Sequence, residues 1–85
     1  MYYVTMNDKV LSGWGKAQGK INKLVLECQT REEVDVVMEN ARNRGDMTYI
    51  NWRTNKPYYN SRRYLVSFHN KEDYSNWYKK DYFKK

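Results

Sequence analysis

Residues 20–52 have the sequence KINKLVLECQTREEVDVVMENARNRGDMTYINW, and this pattern predicts a strand, a helix and a second strand in succession. Leu24, Leu26 and Cys28 recur at every second position of the first strand, so they share one face. An extended pattern returns from Met47, where the second strand begins. The rest of the chain is arranged around this strand–helix–strand unit.

The helix within this unit has a start signal and a stop signal. Thr30 can accept a hydrogen bond from the backbone N–H of Glu33, and the Glu33 side chain can reach back to Thr30, which makes a capping box. Gly45 suits the left-handed residue that ends a helix. The apolar residues between these signals have the spacing of one buried stripe and are Val34, Val37, Met38 and Ala41. The sequence therefore predicts one amphipathic helix in the middle of the chain.

Further elements are predicted on both sides. Alternating apolar residues indicate strands over 2–6 and 62–68, and the Pro- and Asn-containing segment 54–61 is typical of a loop. Asn70 with Asp73 three residues later suits the start of a final helix. The apolar stripe of that helix would consist of Tyr74, Trp77 and Tyr78. In the strand from Met47 both faces are partly apolar, so the pattern leaves open which face meets the core.

The predicted order of elements is β-β-α-β-β-α in a single compact domain over residues 1–85. This order favours an α+β two-layer sandwich, in which a four-stranded, mostly antiparallel sheet carries both helices on one face. The last two strands are expected to form a hairpin. The other face of the sheet is expected to be open to solvent or to a partner.

The charge is distributed unevenly along the chain. The formal net charge is +6, and residues 47–69 hold four basic residues and no acidic one. Residues 31–46, which contain the predicted central helix, hold three basic and five acidic residues. The exposed side of the helix is therefore a poor surface for a polyanion, and the last two strands with their connection are a good one.

Catalytic and metal-binding patterns are missing from the sequence. One histidine, His69, and one cysteine exclude a zinc site made of Cys and His ligands within one chain. Cys28 lies on the apolar face of a strand, where a small buried side chain is the ordinary interpretation. Neither a nucleophile–base motif nor a phosphate-binding loop is present. We therefore expect a protein that is not an enzyme and has no cofactor.

No apolar run approaches the roughly 18 residues of a membrane span, so a cytoplasmic location is expected.

Basic and aromatic residues are interleaved around the connection between the last two strands. Cations can neutralise phosphates and flat rings can stack on bases, so these residues predict a basic-aromatic hairpin that binds nucleic acid. The same residue types dominate protein interfaces, and the alternative is therefore a protein-interaction module or an inhibitor of a host protein. The candidate residues are Trp52, Arg53, Lys56, Tyr58, Tyr59, Arg62 and Arg63.

Trp14 is an eighth candidate, because it lies between Gly13 and Gly15 in the least regular part of the chain. Neighbouring glycines leave the indole free to fold over the core or to face a partner. The sequence does not choose between these two positions.

Four segments, 2–6, 12–15, 19–25 and 55–57, resemble those of a group of small hypothetical proteins. That group belongs to plasmids, phages and other mobile elements of Gram-positive bacteria, and the resemblance covers most of the chain. It implies an accessory protein of mobile DNA, a class that includes nucleic-acid binders and inhibitors of host proteins. It assigns no activity and no functional residue.

Overall fold

A four-stranded sheet and one α-helix make up the described part of the chain, residues 1–8 and 19–84 of a computed structural model. The elements in chain order are β1 (Tyr2–Asp8), β2 (Ile21–Cys28), α1 (Arg31–Arg44), β3 (Met47–Arg53) and β4 (Tyr64–His69). A single 3-10 turn, Ser75–Tyr78, follows β4. The predicted α+β class is confirmed. Trp14 lies outside the described residues.

Local signals define α1 as the sequence predicts. The Glu33 N–H donates to the Thr30 hydroxyl at 3.1 Å. The Glu33 carboxylate in turn accepts from the backbone N–H of Gln29 at 3.3 Å, one residue before the expected partner. Gly45 ends the helix with a φ of 79°, a conformation that costs glycine little. The predicted capping residue and stop signal are therefore confirmed.

The hydrophobic core lies between α1 and one face of the sheet. Val4 and Met6 of β1 and Leu26 and Cys28 of β2 are fully or almost fully buried there. The buried residues of the α1 stripe pack against them, and these are Val34, Val37 and Ala41. Burying one such side chain stabilises the fold by about 1.5–3 kcal/mol. This packing holds the two central strands and α1 together.

The strands lie in the order β3-β1-β2-β4. β1 is antiparallel to both β2 and β3, while β4 is parallel to β2. The sheet is therefore mixed, and the predicted hairpin of β3 and β4 is wrong, because these strands form opposite edges. Alternation of apolar residues shows which side chains share a face but does not identify the neighbouring strand.

The connection between β3 and β4, residues 54–63, has to pass from one edge of the sheet to the other. We call it the crossover loop. The connection from β2 to β3 passes through α1 on one face of the sheet. The connection from β3 to β4 crosses the sheet in the opposite direction, so the two crossovers have the same handedness only if the second passes over the opposite face. Val25 of β2 is fully buried although its side chain points away from the core, and Pro57 of the loop is buried as well. The second face, which was expected to be open to solvent or to a partner, is therefore covered in part by the loop.

A bulge in β3 decides which of its residues face the core. The register between β1 and β3 shifts between Thr5 and Asn7, and Tyr49 has a φ of 53°. Because the bulge adds one residue, Met47 points to the same face as Ile50 and Trp52. Without the bulge, strict alternation of side chains along β3 would place Met47 on the opposite face from Ile50 and Trp52.

The predicted second helix is wrong in its extent, although its start signal forms. Asn70 accepts a hydrogen bond from the Asp73 N–H at 2.8 Å and donates one to the Asp73 carboxylate at 3.0 Å. The chain then makes only the short 3-10 turn at Ser75–Tyr78.

Asn40 of α1 explains the end of that turn. Its side-chain amide donates to the backbone carbonyls of Trp77 and Lys79 at 2.7 and 2.9 Å. Both carbonyls are thus bonded to α1, and Lys79 is extended with a ψ of 124°. Tyr78 is also held to the sheet, because its hydroxyl donates to the Glu27 carbonyl at 2.6 Å. Contacts to the core therefore take the place of a continuing helix.

Candidate functional site

The sheet face opposite α1 and the crossover loop that covers it carry a group of basic and aromatic side chains. We call this group the crossover surface. Its members are Lys23, Arg53, Lys56, Tyr58, Tyr59, Arg62, Arg63 and Tyr64. Six of the eight residues predicted from the sequence belong to it, and Lys23 and Tyr64 are additions.

Strand alternation places three of the members on this face. Lys23 is two residues from the buried Val25 and points to the same side of β2. Arg53 pairs with Tyr3 of β1, and Tyr64 pairs with Ile21 of β2. Both partners lie on the same face as Val25, so Arg53 and Tyr64 do too.

Tyr59 fastens the crossover loop to this face. Its ring packs edge-on against Tyr64, with the two centroids 5.3 Å apart. The Lys23 ammonium lies 5.3 Å from the Tyr59 centroid and 5.0 Å from that of Tyr64, and the Thr5 side chain hydrogen-bonds Tyr59. Cation–π contacts of this kind contribute from about 0.5 to 2 kcal/mol. The loop is therefore tied to β1, β2 and β4 at one point.

Burial affects the titration of both residues at this point. It lowers the pKa of Lys23, and the nearby charge of Arg63 lowers it further. Burial also raises the pKa of Tyr59, and this effect exceeds the opposing influence of the Thr5 hydrogen bond and the Arg53 charge. Tyr59 is consequently a neutral phenol at pH 7. We regard Lys23 and Tyr59 as parts of the scaffold, because their contacts are made within the protein.

The remaining basic members are available for a ligand. Arg53, Lys56, Arg62 and Arg63 are all exposed. Two of them lie near aromatic rings, since Lys56 is 5.4 Å from the Phe68 centroid and Arg63 is 5.5 Å from that of Tyr64. The described strands contribute one acidic side chain to this face, Glu27, which is half-buried. The surface is therefore strongly basic.

Acidic side chains are concentrated on the other side of the molecule. α1 covers the opposite face of the sheet, and its exposed acids are Glu32, Asp35 and Glu39. Arg31 and Arg42 of the same helix are also exposed, so the exposed side of α1 carries mixed charge while the crossover surface is mainly basic.

Trp52 lies apart from the other candidates. It pairs with Val4 on the core face, and its ring packs edge-on against Tyr2 with centroids 5.8 Å apart. The Arg31 guanidinium lies 3.9 Å above the same ring. The structure therefore does not bring Trp52 together with Tyr58 and Tyr59.

No family model matches the chain, and neither does any curated protein or solved structure. The resemblance to proteins of mobile elements stays an expectation.

The groups with catalytic potential are engaged in packing. The His69 ring lies on the Tyr74 ring with centroids 3.9 Å apart, and burial lowers the pKa of this histidine. Burial, aided by the charge of Glu33, raises the pKa of the Cys28 thiol to about 12. Within residues 1–8 and 19–84, no three His, Cys, Asp or Glu side chains are grouped to hold a metal ion. The only α-helix of that part, α1, is too short and too polar to cross a membrane.

Two members of the crossover surface are absent from the candidates predicted from the sequence, although Tyr64 ends the predicted basic-aromatic segment. Lys23 had a usable signal, because it alternates with the core residues of β2 and so lies on the opposite face. Tyr64 had the same signal in β4. What the sequence did not show was that the crossover loop passes over both strands.

Proposed function

We propose that the protein binds nucleic acid through the crossover surface, as a binding module without catalytic activity. The observation that supports this most is the position of four exposed cations, Arg53, Lys56, Arg62 and Arg63, on the face opposite the acidic side of α1. Phosphate neutralisation by exposed lysine and arginine supplies most non-specific affinity for nucleic acid. An accessory role in mobile DNA, which the resemblance implies, is compatible with this proposal.

A protein partner fits this surface less well. Protein interfaces have an apolar centre that is depleted of lysine and of acidic residues, although arginine is enriched there. Here Tyr59 and Tyr64 pack against each other, and three cations lie beside the aromatic rings. Two of these three cations, Lys23 and Lys56, are lysines, which are depleted from protein interfaces, so the surface suits phosphate better than an apolar partner.

The salt dependence of binding tests the proposal. Each single-strand phosphate neutralised contributes about 0.7 to the slope of log affinity against log salt, so four contacts give about 2.8. The affinity should then fall about 50-fold between about 50 and 200 mM salt. Fluorescence anisotropy with labelled single-stranded and duplex oligonucleotides measures this directly.

A matched pair of variants assigns the site. Arg62→Gln with Arg63→Gln should reduce the slope by about 1.4 and leave about a 7-fold fall over the same salt range. Lys79→Gln with Lys80→Gln changes the net charge equally but lies in the C-terminal segment, and it should leave the slope near the wild-type value. If no oligonucleotide binds at low salt, the proposed function is wrong. If both double variants behave alike, the protein binds nucleic acid elsewhere.

A further inference from the structure

Tyr58 is displayed by the crossover loop in a way that packing does not explain. Its side chain is 90 % exposed, the highest value among the large exposed hydrophobic residues of the described chain. Both of its neighbours are anchored, because Pro57 is buried and Tyr59 packs on Tyr64. Tyr58 makes no ring, cation or hydrogen-bond contact within residues 1–8 and 19–84. An aromatic ring is thus held away from the protein by a loop that is fastened on both sides of it.

We propose that Tyr58 stacks on an unpaired base, and hence that the crossover surface selects single-stranded DNA or RNA over duplex. This inference rests on the proposed function. In a duplex the base faces are covered by their neighbours, whereas a single strand can turn a base onto an exposed ring. Lys56 and Arg62 flank Tyr58 in the loop and are exposed, so phosphates on either side of the stacked base would meet cations.

Anchoring of the loop is what makes this ring effective. A side chain on a fastened segment loses little conformational freedom when it binds, so less of the stacking free energy is offset. Tyrosine has few rotatable bonds, which reduces that loss further.

The other aromatic candidates are less suited to stacking. Tyr59 is half-buried, with Lys23 near its ring and Tyr64 packed against it. Trp52 lies on the core face, and the Arg31 guanidinium occupies one side of its ring. Tyr58 is therefore the most exposed ring of the crossover surface.

The test compares four probes of about 12 nucleotides: single-stranded DNA, single-stranded RNA of the same sequence, and the two corresponding duplexes. Tyr58→Ala should weaken single-strand binding by roughly 5- to 150-fold and change duplex binding little. Tyr58→Phe should bind like the wild type, because the ring is retained. Tyr49→Ala is the matched control, since Tyr49 is a 79 % exposed tyrosine at the β3 bulge, outside the crossover surface. The salt slope of Tyr58→Ala should equal that of the wild type, because the residue is uncharged.

The outcomes separate this inference from the proposed function. If duplex binds as tightly as single strands, or if Tyr58→Ala binds single strands like the wild type, the inference is wrong. The proposed function survives either result as long as Arg62→Gln with Arg63→Gln lowers the salt slope. If none of the four probes binds, both fail. If a single strand of DNA or RNA binds more tightly than its duplex, the inference is supported. The tighter of the two single strands then identifies the preferred sugar.

Discussion

Asn40 is a fully buried polar side chain in α1, and replacing it with alanine tests how the C-terminal segment is held. Its bond to the Trp77 carbonyl is buried, so removing the amide leaves an acceptor without a partner at a cost of about 1–3 kcal/mol. The bond to Lys79 is partly buried and contributes about 0.5–1.5 kcal/mol. The higher helix propensity of alanine returns about 0.5 kcal/mol, and removal of the Asn40 amide oxygen, which is buried without a partner, returns about 1 kcal/mol more. We therefore expect Asn40→Ala to lower the free energy of unfolding by up to about 3 kcal/mol.

Asn43→Ala is the matched control, because it makes the same change in the same helix. The Asn43 amide nitrogen is buried without a hydrogen-bond partner, so its removal should be neutral or slightly stabilising. Urea unfolding followed by circular dichroism gives both free energies. A chain of 85 residues has a total stability of about 4–13 kcal/mol, which makes the expected difference easy to measure. Equal stability of the two variants would refute the role of Asn40.

Further predictions concern single residues of the core and its borders. Thr30→Ala should destabilise the protein by about 1 kcal/mol in urea unfolding, because the cap of α1 is lost, while Thr54→Ala in the exposed loop should be nearly neutral. Leu26→Ala should cost about 2–5 kcal/mol in the same assay, since Leu26 is fully buried. The Cys28 thiol, with its pKa raised to about 12, should react with an alkylating reagent only after the protein unfolds; rapid labelling of the native protein would contradict its burial. His69 has a folded pKa below its ordinary 6.5, so the unfolded chain binds the proton first and stability should fall as the pH drops through that value. His69→Gln should show a smaller loss of stability between about pH 7.5 and 5.5 than the wild type, and an equal loss would refute this.

Much of the fold follows from signals that act over a few residues. The Thr30–Glu33 cap, the left-handed Gly45 and the α1 stripe depend on neighbours within one or two turns, so the sequence predicts them correctly. The Asn70–Asp73 turn forms for the same reason. The helix expected after it does not form, because hydrogen bonds from Asn40 and to the Glu27 carbonyl join segments far apart in the chain.

The candidate site depends on strand order, which the sequence predicted wrongly. Alternation correctly placed Tyr64, Val66 and Phe68 on one face, but the pairing of β4 with β2 rather than β3 has no local signal. The bulge at Tyr49 is equally hidden, because a non-glycine residue with positive φ is uncommon and tertiary packing selects it. Composition did identify the basic segment. Its arrangement as a loop laid across the sheet became visible only in the structure.

The crossover loop links ligand binding to the order in which the molecule assembles. Because it joins the two edge strands, we expect it to be among the last parts to form and among the first to open. Slow amide exchange in β1 and β2 with faster exchange over 54–69 would be the signature of such local opening. Any ligand that needs the closed loop binds with its intrinsic affinity multiplied by the closed fraction. A substitution at the buried Val25 or Pro57 would therefore weaken binding without removing a single contact to the ligand.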